Sequence, residues 1–63
     1  MLQMIELVGT AAEGFSAAVR AALDEAARRG FKAHFFQVVE QRGSVRDGEI
    51  REFQVVVKIA VES

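Results

Sequence analysis

The spacing of apolar residues along this chain switches from a strand-like period to a helical one and back again. Residues Leu2 to Val8 alternate imperfectly, with Gln3 and Glu6 on opposite faces, and read as a short strand bounded by Gly9. Further on, Phe15, Ala18, Val19, Ala22, Leu23 and Ala26 recur at three- and four-residue steps. They form one apolar stripe of an amphipathic helix that runs to about Arg29. The preceding Thr10-Ala11-Ala12-Glu13 has the form of a capping box, in which the threonine hydroxyl accepts from the Glu13 N–H and the carboxylate reaches back to the cap. Arg20, Asp24 and Arg28 fall four apart on another face, as do Glu25 and Arg29, and are expected as solvated pairs. Gly30 is placed to end the helix in a left-handed conformation. Ala33 to Val45 and Ile50 to Glu62 then read as two long strands, joined at Asp47-Gly48, a strong hairpin signal. Gly9, Gly30, Gly43 and Gly48 are expected at turns and bulges, because no Gly-x-Gly-x-x-Gly phosphate loop is present.

The last strand is apolar on both sides. Phe53, Val55, Val57, Ile59 and Val61 share one side and are expected under the helix. With a two-residue turn at Asp47-Gly48, Phe36 meets Ile59 and Val38 meets Val57 on that side. On the far side Phe35 meets Ala60, Gln37 meets Lys58, Val39 meets Val56 and Gln41 meets Gln54; a bulge would shift this register by one. One helix cannot cover both faces of a sheet. The far face, with Phe35, Val39, Val56 and Ala60 among Gln37, Gln41 and Gln54, therefore implies either a partner surface or a ligand site. Amide side chains set among apolar ones suit a planar polar ligand and suit a subunit contact equally.

Size sharpens that reading. A single domain of 63 residues buries only about 60% of the surface its unfolded chain exposes and usually needs a disulfide, a metal or a partner subunit. This chain has no Cys and one histidine, His34, so disulfides, thiolate metal sites and polyhistidine sites within one chain are excluded. Yet 51% of its residues are hydrophobic, which leaves oligomerisation as the expected route to stability. Eight basic and nine acidic residues are scattered along the chain, without the basic stripe of a nucleic-acid binder. The charge-free run Leu7 to Ala12 is far short of a membrane span, no signal peptide is expected, and the lack of Cys fits a cytoplasmic location. Ser16 and Ser44 lie in no nucleophile motif, so an enzyme is not expected.

Several segments, taken with their spacing, resemble the dodecin family. Ile5-Glu6-Leu7-Val8-Gly9-Thr10 is similar to the opening of that family, and Val39-Glu40-Gln41-Arg42-Gly43 to its central-strand motif. Val45-Arg46-Asp47-Gly48 resembles its hairpin and Phe53-Gln54-Val55 its last-strand motif, in register from Ile5 to about Ile59. The resemblance implies an α+β fold of order β-α-β-β, a three-stranded antiparallel sheet wrapped around one helix, assembled as a hollow homododecamer. It implies a non-enzymatic role in storing or buffering a flavin (riboflavin, FMN or FAD), bound in pairs at subunit contacts; some members also bind coenzyme A or metal ions. Carried over by position, the glutamine that hydrogen-bonds the isoalloxazine is Gln54, and the arginine placed near ligand phosphate is Arg42. The stacking tryptophan of the family falls on Phe35, and the acidic residue usual after the next Phe falls on Gln37. The linker Gly30-Phe31-Lys32-Ala33-His34 and the C-terminal residues, without a Gly-Phe ending, also depart from the family pattern.

Overall fold

The computed structural model describes residues 1–62. Strand β1 spans Leu2–Ala11, helix α1 Phe15–Arg28, strand β2 Lys32–Arg46 and strand β3 Glu49–Glu62. The three strands form one antiparallel sheet in the order β1-β3-β2, so the last strand is central. Helix α1 lies across one face. This is the expected β-α-β-β arrangement.

The core is the helix-facing side of β3 against a line of alanines. Val55, Val57, Ile59 and Val61 are fully buried, with Leu7 of β1 beside them. From the helix, Ala18, Ala22 and Ala26 are fully buried, four residues apart on one line. Their small side chains let the helix axis lie close to the sheet. Phe15, Val19 and Leu23 flank that line and are only partly buried. Phe15 meets Phe53 edge to face, with ring centroids 4.9 Å apart.

Gly9 marks the closest approach. A Cβ at this position would stand 1.9 Å from the Ala18 carbonyl oxygen and 3.0 Å from the Ala22 nitrogen. The glycine is therefore not the turn that the sequence suggested. Strand β1 continues through it, and Thr10 and Ala11 still pair with Gln54 and Phe53. The capping box is corrected for the same reason: Thr10 is held in the sheet and cannot also cap a helix. The N-cap is Gly14 at φ 156° and ψ 178°, with no side-chain cap bond. That backbone region is essentially closed to residues with a Cβ.

The far end of the helix follows expectation. Gly30 has φ 87°, its N–H donates to the Ala27 carbonyl at 2.9 Å, and the Phe31 N–H donates to the Ala26 carbonyl at 3.0 Å. This is the Schellman pattern, and Phe31 adds its apolar contact by packing on the core. On the helix surface, Glu25 binds both Arg28 at 2.7 Å and Arg29 at 2.9 Å. Arg28 thus turns to Glu25 rather than to Asp24, a correction to the spacing argument. Hydrogen bonds from Arg28 and Arg29 hold the Glu25 carboxyl below its ordinary pKa.

The hairpin turn is two residues, with Arg46 facing Glu49. Asp47 at φ 54° and Gly48 at φ 79° give the doubly left-handed form that matches strand twist. Strand β2 makes the longest pairing in the sheet, yet all 15 of its residues are exposed. The helix lies over β1 and β3 and does not reach across β2.

A Gly9→Ala substitution should be strongly destabilising, because the new methyl meets backbone atoms that cannot rotate away. Overpacking costs about 1–3 kcal/mol where side chains can shift, and the loss here is expected at or above the top of that range. The urea midpoint of the variant against the parent measures it.

Candidate functional site

The face of the sheet turned away from the helix is built from rows of residues that sit opposite one another across three strands. Met4, Ala60 and Phe35 form one row. Glu6, Lys58 and Gln37 form the next, then Val8, Val56 and Glu40, then Thr10, Gln54 and Arg42. Apolar and polar rows thus alternate along β3. Ala60 is wholly buried although it lies on this open side, because the larger Met4 and Phe35 close over it from both neighbouring strands.

The expected pairs Phe35–Ala60, Phe36–Ile59, Gln37–Lys58 and Val38–Val57 are all present. Beyond them a bulge between Val38 and Glu40 inserts Val39 as an unpaired residue and shifts the register by one. Val39 therefore does not meet Val56, and Gln41 does not meet Gln54. Glu40 takes the first place and Arg42 the second, while Gln41 pairs with Val55 on the helix side. The bulge turns Glu40 and Arg42 to the open face; without it they would follow Phe36 and Val38 onto the helix-facing side. Two further irregularities leave Arg51 of β3 unpaired, between Val45–Ile50 and Ser44–Glu52, and set aside His34, whose Nε2 lies 2.8 Å from a Glu62 carboxylate oxygen.

The structure brings Arg42 and Gln54 into direct contact. The Arg42 Nε donates to the Gln54 side-chain oxygen, and Arg42 Nη1 donates to Glu40 at 2.9 Å. Arg42 therefore makes the salt bridge to Glu40 that its position in the motif allows. Gln54 bonds a guanidinium rather than another amide. Its NH₂ group remains available as a donor. A small cleft of about 200 Å³ opens beside it, lined by Arg42, Gly43, Ser44, Glu52 and Gln54. That is below the range of roughly 300–1,000 Å³ in which small-molecule ligands are enclosed.

Phe35 and Gln37 stand elsewhere. Phe35 is 57% exposed. Its row partner on β3 is Ala60, six residues from Gln54, a separation of roughly 20 Å along the strand. Gln37 lies between those two levels, opposite Lys58. One chain therefore presents an aromatic ring and an amide on the same face but too far apart for one planar ring system to touch both. These residues fit a flavin only as two half-sites contributed by different copies.

A second concavity was not anticipated from the sequence. On the helix side, Phe15, Val19, Leu23, Phe36, Val38 and Gln41 line a groove of about 430 Å³ between α1 and β2. The signal for it is the width of the helical stripe. Phe15, Val19 and Leu23 are offset from the alanine line that meets the sheet.

Among the described residues there is no group of three or more His, Asp or Glu side chains that could hold a metal ion. Among the same residues no helix is long and apolar enough to cross a membrane.

Comparison with known proteins agrees with this geometry. The sequence model of the family described as Dodecin matches residues 1–62. The chain belongs to the dodecin family. It is 40% identical over 55 residues to a Thermus thermophilus protein described as a dodecin, covering 87% of this chain and 80% of that one. Among solved structures, the dodecin from Streptomyces davaonensis superposes with a TM-score of 0.90 at 33% identity, covering 97% of this chain and 90% of the other. A variant of the Thermus thermophilus dodecin with one tryptophan replaced by phenylalanine gives a TM-score of 0.86 at 39% identity, covering 97% and 91%. The dodecin fold is thus shared over nearly the whole chain.

Arg42→Ala should change the stability of the chain by no more than about 1 kcal/mol, since exposed ion pairs contribute roughly 0.2–1 kcal/mol. Chemical denaturation of the variant, compared with a Glu40→Ala variant and the double substitution, isolates the pair. A coupling energy well above that value would place the pair in a desolvated contact between chains.

Proposed function

We propose that this dodecin is a non-enzymatic flavin-binding protein of storage or buffering type, working in the cytoplasm as a homododecamer with the ligand held at contacts between subunits. The observation that carries the proposal is the separation of Phe35 from Gln54 on one open face of alternating apolar and polar rows. A stacking ring and a hydrogen-bonding amide are both present, and two copies are needed to bring them onto one ligand. The uncovered β2 supports assembly: Phe35, Phe36, Val38 and Val39 are exposed apolar side chains along a single strand. Phe35 would supply the stacking surface and Gln54 the amide contact to the isoalloxazine edge. Arg42 is set to meet a ligand phosphate, once released from Glu40, and Gln37 lines the approach.

The phenylalanine at the stacking position favours a second reading. The same shell would then bind no flavin and act as a scaffold, or would hold a coenzyme A-like molecule or a cation. Titration with riboflavin separates the two readings: a saturable loss of free flavin supports the first, and protein that leaves added riboflavin free supports the second.

Sedimentation should show a species near twelve times 6.9 kDa at micromolar concentration. A folded monomer as the main species would overturn the assembly and, with it, the shared site. Gln54→Ala should weaken riboflavin binding by up to about tenfold, the value of one net hydrogen bond, while leaving the assembly intact. Phe35→Trp should tighten riboflavin binding by roughly fivefold, from about 1 kcal/mol of added aromatic contact. A destabilised assembly with no gain in affinity would instead mark Phe35 as interface packing.

A further inference from the structure

We propose that a flavin bound by this chain keeps its excited state, so that the protein stores the ligand without quenching its fluorescence or its photochemistry. This rests on the flavin-binding reading and deepens it. Fast quenching of a protein-bound flavin runs through electron transfer. A donor in contact with the photoexcited isoalloxazine gives up one electron, the flavin becomes a radical anion and the donor a radical cation. Return of the same electron restores both. The first step needs an electron-rich side chain, in practice an indole, a phenol or a thiolate.

The sequence contains no Trp, no Tyr and no Cys. What the open face offers a ring ligand is Phe35, a hydrocarbon ring with no heteroatom feeding electrons into it, exposed over 57% of its surface. The neighbouring His34 is turned to Glu62, and imidazole is a poorer donor than indole. Met4 shares the row of Phe35 but lies across β3, two strand spacings or roughly 10 Å away. Its thioether is likewise a poor one-electron donor. Assembly does not change this inventory. Every subunit is the same chain, so no partner brings a donor to a shared site. With the electron-transfer step missing, the excited flavin is left to emit or to cross to its triplet state.

The test loads the intact assembled protein with riboflavin at low occupancy, so that bound flavins do not stack on one another. Equilibrium dialysis gives the bound fraction, and time-resolved fluorescence gives the lifetime of the bound species. The expected result is a bound lifetime within about twofold of free riboflavin, shortened roughly tenfold or more in Phe35→Trp, where an indole takes the ring-contact position. Phe35→Tyr introduces a phenol at nearly the volume of Phe and should shorten the lifetime in the same direction, which keeps the test open should the larger indole disturb assembly. Bound riboflavin quenched in the parent protein as strongly as in these variants would overturn the inference and leave flavin binding standing. Dialysis that shows no bound riboflavin would overturn the flavin reading itself, and this inference with it.

Discussion

The close seating of one small-residue helix on two strands is the constraint from which the rest of the molecule follows. Gly9 and the line Ala18, Ala22 and Ala26 let α1 approach β1 and β3 until backbone nearly meets backbone. Close contact fixes the helix over that side of the sheet. It buries Val55, Val57, Ile59 and Val61 of β3 completely and leaves β2 exposed. A wider helix, held off by leucines, would spread over all three strands and enclose more apolar surface. This chain has instead a thin, well-packed core and a long hairpin that extends past it. The deficit in burial is what makes other copies of the chain part of its expected stability.

The same constraint decides the character of the open face. Because the helix is on one side only, Gln54, Val56, Lys58 and Ala60 of β3 face outward between neighbours from β1 and β2. The result is an alternation of rows: methyl and ring groups at Met4, Ala60 and Phe35, charge and amide at Glu6, Lys58 and Gln37, then aliphatic and polar rows again. A surface meant only for water would not place Val8, Val56 and Phe35 there, and one meant only for packing would not hold Lys58 and Arg42. Alternating rows suit contact with another ordered surface, in which polar groups find specific partners and apolar rows exclude water.

Much of this was legible in the sequence, and the failures have physical causes. The Asp47-Gly48 turn sets the register for Arg46–Glu49 and Val45–Ile50, and the same count holds again from Val38–Val57 to Phe35–Ala60. Between these stretches the count fails from Ser44 to Glu40, because an irregularity that leaves Arg51 of β3 unpaired shifts the pairing by one and the bulge at Val39 of β2 shifts it back. Glu40 and Arg42 have the same parity as Phe36 and Val38, so an unbroken strand would turn both charges to the helix side and take Arg42 away from Gln54. Thr10 and Glu13 were misread because local capping chemistry was weighed without the sheet, whose pairing at Gln54 had the stronger claim on the Thr10 backbone. Gly9 was misread because a close approach leaves no mark in sequence beyond the glycine itself. The alanines at Ala18 and Ala22, directly opposite, were the other half of that signal.

Separation along β3 gives the proposed site a property that a pocket within one chain would lack. Phe35 and Gln54 stand at levels roughly 20 Å apart on the same face. A ligand that touches the ring of one copy and the amide of another adds its binding free energy to the contact between them. By linkage, whatever strengthens assembly then strengthens ligand binding by the same factor, and the converse holds. The Arg42–Gln54 bond enters this balance as a competitor. While Gln54 accepts from Arg42, one side of its amide is committed to its own chain, and only the NH₂ side faces a ligand without rearrangement. A ligand bearing a phosphate would shift that balance by drawing the guanidinium away from both Glu40 and Gln54, freeing the amide as it arrives. On the proposed function, ligand charge and amide availability would thus be coupled through a single side chain, Arg42.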